Sequence, residues 1–202
     1  MKQRRSSQSV EQAVDLNQKS WQATKSDAMR RRILDAAAVL VMRTGITSLT
    51  ISLVAKEAGV SKGGVLHHFA TKQALINGLI RRVFDDLTYQ IEQEMIRNQE
   101  RGAWSRAFIT VCLSKESPMA VLVKALNPVL NLTPEIAHLE EQYYAYALNG
   151  LQRDGFTVSE ALIIALTISS FIVAEAPNVI AQTKVLRTEL LRQVDEVTKR
   201  DD

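Results

Sequence analysis

The sequence has little cysteine, proline or glycine: one, four and eight residues among 202. A single cysteine, Cys112, excludes an intrachain disulfide and predicts a cytoplasmic chain. Scarce proline and modest glycine, beside abundant Ala, Leu, Ile, Glu, Gln, Lys and Arg, favour helices. Sustained alternation of apolar and polar residues, the mark of strands, is also missing. The predicted fold class is therefore all-α.

Long apolar runs are missing as well. The longest, residues 161–174, has 14 residues and includes Thr167, Ser169 and Ser170, so it is too short to span a bilayer and suits a buried helix. The polar N-terminus lacks the apolar segment of a signal peptide. Hydrophobic residues nevertheless make up 46% of the chain, which excludes wholesale disorder. We expect a folded cytoplasmic protein with no membrane partner.

Positive charge is concentrated in one segment of the chain. The formal net charge is only +3, but residues 25–73 carry eight Lys/Arg against three Asp/Glu, whereas residues 74–202 carry thirteen against seventeen. This asymmetry is expected of a phosphate-facing module attached to a neutral or acidic body.

Two short helical patterns joined by Gly59 lie in the basic segment. Thr50, Ser61 and Thr71 are placed to cap successive helices, and Gly59 permits a sharp turn between the first two. In a helix-turn-helix, the second helix enters the major groove of DNA. The predicted core residues of this small N-terminal domain are Ile51, Val54, Ala55, Val60, Leu66 and Phe69. Further helices are predicted near 27–44, 71–95, 103–115, 118–127, 134–153, 158–176 and 182–198.

Seven residues are candidates for contact with DNA. The small residues at the start of the second helix would allow close approach, and backbone N–H groups there favour anionic oxygen. Lysines add cationic reach to phosphate. The candidates are Thr50, Ser61, Lys62, Gly63, Gly64, His67 and Lys72.

The stretch from Ile33 through Leu75 resembles the TetR family of transcriptional regulators. An amphipathic helix is followed, from Thr50 to Leu75, by the pattern T-x-x-x-V-A-x-x-A-G-V-S-x-G-x-x-x-x-H-F-x-x-K-x-x-L. The resemblance implies a homodimer of all-helical subunits that pair through their last two helices and release a near-palindromic operator when a small molecule binds. It implies a helix-turn-helix domain over 26–73 and a ligand-binding and dimerisation domain over 74–202. The polar, aperiodic residues 1–25 predict a flexible N-terminal tail.

His67 is included among the candidates for contact with DNA because this family resemblance implies a phosphate contact at its position, where a histidine contact would be sensitive to pH.

The candidates for the ligand pocket are mostly aromatic side chains of the C-terminal part. They are Trp104, Phe108, Cys112, Met119, Tyr143, Tyr144, Phe171 and Glu175. Ordinary core packing is the alternative for most of them. Glu175 is the only ionisable residue between Glu160 and Lys184, so inside a pocket it would favour a cationic ligand; a place at the rim is the alternative.

The last two helices carry an apolar seam that predicts the dimer interface, with packing inside the subunit as the alternative. The seam consists of Leu162, Ala165, Ile168, Ser169, Ile172, Val185, Leu186, Leu190, Val194 and Val197.

Features of an enzyme or of a metal site are scarce. Cys112 lies in an apolar helical pattern, where cysteine acts as a small buried hydrophobe. His67 and His68 diverge by about 100° on a helix and have no ligand partner at suitable spacing, so neither a metal nor a cofactor is predicted. Two rival functions remain open: an activator or effector-independent regulator with the same fold, and a ligand-sequestering protein whose DNA-binding function is lost.

Overall fold

A computed structural model describes residues 25–97, 100–114, 122, 125–126, 133–173 and 182–199. Every regular element within these ranges is helical, which confirms the predicted all-α class. The predicted tail, up to residue 24, and most of the helix expected near 118–127 lie outside them. The elements are α1 (25–44), a 3₁₀ turn (Ile46–Ser48), α2 (Ile51–Ala58), α3 (Lys62–His68), α4 (Lys72–Arg97), α5 (Ala103–Cys112), α6 (Pro134–Arg153), α7 (Val158–Val173) and α8 (Thr183–Val197).

The helix starts in the N-terminal part follow the predicted caps. Each capping oxygen accepts a backbone N–H three residues later, which satisfies one of the unpaired donors of a helix start. The three bonds join Thr50 to Leu53 at 3.2 Å, Ser61 to Gly64 at 3.0 Å, and Thr71 to Ala74 at 3.0 Å. Gly59, between α2 and α3, has φ 63° and ψ 42°, the left-handed conformation that glycine adopts without steric cost. Local sequence signals therefore fix the relative orientation of α2 and α3.

The first turns of α4 belong to the N-terminal core. Phe69 is 2% exposed and packs directly against Gly78, where a Cβ atom would lie 2.6 Å from the ring. The guanidinium of Arg30 lies 4.5 Å from the centroid of the same ring, a cation–π contact. Helix α4 thus runs without a break across the predicted domain limit at residues 73 and 74.

Arg82 ties α4 to α1. Its side chain lies 2.6 Å from the carboxylate of Asp35 on α1, 3.3 Å from that of Asp86 on α4, and 3.3 Å from the carbonyl oxygen of Arg31. One guanidinium thereby holds α1 against the helix that continues into the body.

The body is built from α4 to α8, with α5 in contact with α4, α6, α7 and α8. The N–H of Ser105 donates to the carboxylate of Asp154 at 2.7 Å, and Arg106 pairs with Asp195 on α8. These contacts fix α5 at the centre of the body. Within the described ranges, no helix is long and apolar enough to cross a membrane.

Helix α7 is apolar on both of its faces. Ala161, Ile164, Ala165 and Ile168 are 0–2% exposed and face the rest of the subunit. The opposite face exposes Val158, Leu162, Ile163 and Leu166 by 62%, 42%, 65% and 49%. Half of the predicted seam is internal core, which agrees with the alternative of packing inside the subunit. The residues buried there are Ala165, Ile168, Leu190, Val194 and Val197.

Candidate nucleic-acid interface

The exposed side of α3 is an arc that starts at its N-terminus. Val65 is fully buried and anchors the helix to the small core, whereas Lys62, Gly63, Leu66 and His67 are exposed. At about 100° per residue, these four positions span roughly 140° of the helix circumference on the side away from Val65. We call this surface, formed by Lys62, Gly63, Leu66 and His67, the α3 arc.

One of these residues was misplaced by the sequence prediction. Leu66 was predicted to lie in the core, but 38% of it is exposed, so that prediction was wrong. In a helix of seven residues only one apolar position is needed to face the small core, and Val65 occupies it. The side chain of Leu66, about 100° further round the helix, points outward.

The remaining DNA-contact candidates flank the arc. Thr50 and Ser61 are exposed although their hydroxyls cap α2 and α3, and Gly64 is half-buried. Lys72 is exposed in the first turn of α4, with its Nζ 3.5 Å from the carbonyl oxygen of Thr47. The described structure thus brings small, hydroxyl and cationic groups to the starts of three helices. Their contact with DNA remains a prediction.

The two histidines of α3 have different surroundings. Their rings meet edge to face with centroids 5.2 Å apart, but His67 is exposed and His68 is half-buried. Burial lowers the pKa of His68, and the neighbouring charges of His67 and Arg30 lower it further. A neutral ring at position 68 fits a packing role, and His67 is left as the histidine of the arc.

Several ligand candidates come together where α4, α5 and α6 meet. The thiol of Cys112 lies 3.5 Å from the hydroxyl of Tyr143, and the rings of Tyr143 and Tyr144 are 6.3 Å apart. Phe84 on α4 stacks on Tyr143 at 5.0 Å. The sequence analysis missed Phe84 because the apolar stripe of α4 is already complete with Ile80, Val83 and Leu87.

A shallow cleft adjoins this cluster between α4 and α6. Its volume is about 150 Å³. Its lining combines aromatic and polar groups: Arg81, Phe84, Asp85, Thr88, Leu139, Gln142, Tyr143 and Tyr146.

The other pocket candidates lie elsewhere. Trp104 and Phe108 are 4% and 1% exposed and stack on each other at 5.1 Å inside the body. Phe171 is half-buried on α7 and packs against the core. Met119 and Glu175 lie outside the described residues.

Cys112 is expected to resist thiol reagents in the native protein. Burial raises its pKa to about 12, from an ordinary value of 9.0, so the reactive thiolate is scarce at pH 8. We expect dithionitrobenzoate to react at least ~100-fold more slowly with the native chain than with the urea-unfolded chain. The sequence has no other thiol, so the absorbance change reports on Cys112 alone. Equal rates in the two states would show that the side chain is accessible.

The same burial makes stability depend on alkaline pH. Because the folded state keeps the proton to a higher pH, the contribution of Cys112 to stability is complete below the unfolded pKa near 9. It falls as the pH rises from there towards 12.

Among the described residues, no group of three or more His, Cys, Asp or Glu side chains is placed to hold a metal ion.

Residues 33–79 match the family described as bacterial regulatory proteins, tetR family. The chain is 28% identical over 81 residues to the HTH-type transcriptional repressor KstR2 of Rhodococcus jostii, a match covering 40% of each protein. It is 37% identical over 62 residues to the HTH-type transcriptional regulator BetI of Cronobacter sakazakii, covering 31% of this chain and 29% of that protein. These matches thus span well under half the length of the relatives.

Solved structures extend the likeness to most of the chain. A transcriptional regulator from Rhodococcus sp. Rha1 superimposes with a TM-score of 0.69 over 84% of this chain and 96% of its own, at 21% identity. The multidrug binding protein EbrR, crystallised with imidazole, gives a TM-score of 0.61 over 80% and 88%, at 20% identity. At these identities the likeness establishes a shared fold across both the N-terminal helices and the body.

Proposed function

We propose that this chain, whose residues 33–79 match the tetR family of bacterial regulatory proteins, is a dimeric transcriptional repressor. It would bind a near-palindromic operator through two copies of α3 and leave it when a small molecule binds the body. The observation that carries the proposal is the α3 arc: an exposed helix start with small and cationic residues, held rigidly by caps on α2, α3 and α4.

The proposed contacts fall into two groups. Thr50, Lys72 and His67 would meet phosphates, because hydroxyls, lysines and a histidine N–H donate to anionic oxygen without reading sequence. Lys62 and Gly63 would lie in the major groove, the first reaching base edges and the second allowing the backbone to come close. Replacing Lys72 would then weaken binding to all sequences, whereas replacing Lys62 would also change sequence preference.

Binding of the purified protein to the DNA upstream of its own gene, with a salt titration, tests this function. We expect sequence-specific binding by two protomers, or a multiple of two, with affinity that falls steeply as salt rises because phosphate contacts release counterions. The proposal would be contradicted if the protein bound all DNA weakly and with equal affinity, including duplexes selected from a random library. That result would favour a sequestering protein.

The outer face of α7 is the proposed centre of the dimer interface. It presents Val158, Leu162, Ile163 and Leu166, and Val185 of α8 is 63% exposed. A helix that is apolar on two opposite faces needs cover on both, and the described part of one subunit covers only the inner face of α7. A second copy related by a two-fold axis would cover the outer face.

Replacing Ile163 with aspartate is expected to produce monomers. Ile163 is 65% exposed in the subunit, so we expect the variant to fold, but in the dimer it would bury an unpaired carboxylate. We expect the dissociation constant to rise at least ~100-fold, measured by light scattering against the chain mass of 22.6 kDa. Ile96→Asp is the matched control: Ile96 is 59% exposed on α4 and should leave the dimer intact. A dimeric Ile163→Asp variant would exclude this interface.

The proposed effector site is the aromatic cluster formed by Phe84, Cys112, Tyr143 and Tyr144, with its adjoining cleft. Small-molecule sites are mostly apolar and aromatic with a few polar groups, and this cluster supplies rings, a thiol and a hydroxyl. It includes α4, which continues into the N-terminal core at Gly78. A ligand seated there would act on a helix shared by both parts of the chain. EbrR, with a similar fold, is named as a multidrug binding protein.

A further inference from the structure

The α3 arc contains one large apolar side chain in a polar and cationic setting. Leu66 is 38% exposed and lies between Lys62 and Gly63 when the helix is viewed down its axis, about 40° from the first and 60° from the second. Val65 is the buried anchor of α3, so Leu66 is not part of the small core and its side chain is available on the arc.

We propose that Leu66 reads thymine, by packing against the C5-methyl group of a thymine in the major groove. This inference rests on the proposed function, because it assigns a role within the same DNA-binding surface. In the major groove the thymine methyl is the apolar group that a base edge presents, and apolar side chains recognise it by contact. Lys62 and His67 on the same arc donate to acceptors, so Leu66 adds a kind of recognition that they do not supply.

The position of Leu66 suits this role better than a phosphate contact. Leucine has no donor for phosphate oxygen, and leaving it against a charged backbone gains nothing from its apolar surface. Lys62, the first residue of α3, stands where the second helix of a helix-turn-helix meets base edges. Leu66 is one turn from Lys62, close enough to reach the base pair beside the one that Lys62 contacts.

Deoxyuridine substitution tests the contact atom by atom. An operator duplex is first selected from a random library with the full-length wild-type protein, and each thymine is then replaced in turn with deoxyuridine, which lacks only the C5-methyl group. At one symmetric position we expect the wild type to lose affinity about 4-fold per half-site, and about 15-fold with both half-sites replaced, from the burial of one methyl group each. Fluorescence anisotropy at fixed salt measures the change.

The Leu66→Ala variant completes the test. It should bind the thymine duplex more weakly than the wild type and should bind the thymine and deoxyuridine duplexes equally. Leu53→Ala is the matched control, because Leu53 is 44% exposed on α2 and its loss should leave the dependence on thymine unchanged.

Two kinds of failure are distinguishable. If no duplex is selected and binding is weak on all DNA, the proposed function itself is wrong. If the wild type binds its operator specifically but no deoxyuridine position matters, or if Leu66→Ala keeps the same dependence on thymine, only the role of Leu66 is overturned. If Leu66→Ala lowers the affinity for every duplex by the same factor, Leu66 contributes to binding without reading thymine. That result would also overturn the proposal.

Discussion

Replacing Gly63 with leucine is expected to lower operator affinity roughly 10- to 100-fold while leaving the fold intact. A Cβ atom at Gly63 would meet only the hydroxyl of Ser61, at 3.9 Å, which is ordinary contact. Helix α3 should not lose stability from the change, because leucine is a better helix former than glycine, by up to about 1 kcal/mol in a helix interior. A loss of binding must then come from the DNA side, where the new side chain occupies space that the base pairs need.

A graded series separates steric exclusion from other effects. Gly63→Ala should weaken binding less than Gly63→Leu, because the methyl group intrudes less, and both variants should unfold at the wild-type urea concentration or above it. Asn149→Leu, which places a leucine at an exposed position on α6, is the control and should bind DNA as the wild type does. Wild-type affinity for Gly63→Leu would mean that the start of α3 does not approach DNA closely.

The features that sequence predicted well are those set by residues three or four positions apart. The caps Thr50, Ser61 and Thr71 each bond to a backbone N–H three residues later, so their roles are visible in a short window of sequence. Gly59 is similar, since its left-handed conformation is decided by its own missing side chain. This is why the starts of α2, α3 and α4 and the turn between α2 and α3 were predictable from sequence.

The features that sequence did not predict depend on which face of a helix meets a distant segment. Helix α7 is apolar all round, so its periodicity does not say that Ala165 and Ile168 face inward whereas Leu162 and Ile163 face outward. Leu66 raised the same difficulty in a shorter helix, where two adjacent apolar residues compete for one core position. Phe84 joined the aromatic cluster through a contact with Tyr143, 59 positions away in the chain.

Gly150 is a further case of a distant contact, and its replacement with alanine is expected to destabilise the body. An added Cβ would lie 2.2–2.3 Å from three atoms of the Trp104 ring, far closer than atoms can approach. That ring is 4% exposed, is stacked on Phe108, and meets Tyr146 edge to face, so it has little room to withdraw. Overpacking of this kind typically costs about 1–3 kcal/mol.

The better helix propensity of alanine offsets only part of that cost, by about 1 kcal/mol at most. We therefore expect urea denaturation, followed by circular dichroism, to give a lower free energy of unfolding for Gly150→Ala than for the wild type. Gly63→Ala is the matched control, since it is the same substitution in a helix where the new Cβ has space. It should be neutral or stabilising.

The clash itself is tested by changing its other partner. Trp104→Leu removes the ring that Gly150 accommodates, and alone it should destabilise the body by leaving a cavity. In that background Gly150→Ala no longer meets an aromatic ring, so its cost should vanish or become a gain, because the methyl group fills part of the space. The two changes should then be non-additive by at least ~1 kcal/mol, as expected for residues in direct contact. Strict additivity would mean that α5 and α6 do not pack through these two residues, and the position of α5 at the centre of the body would need another basis.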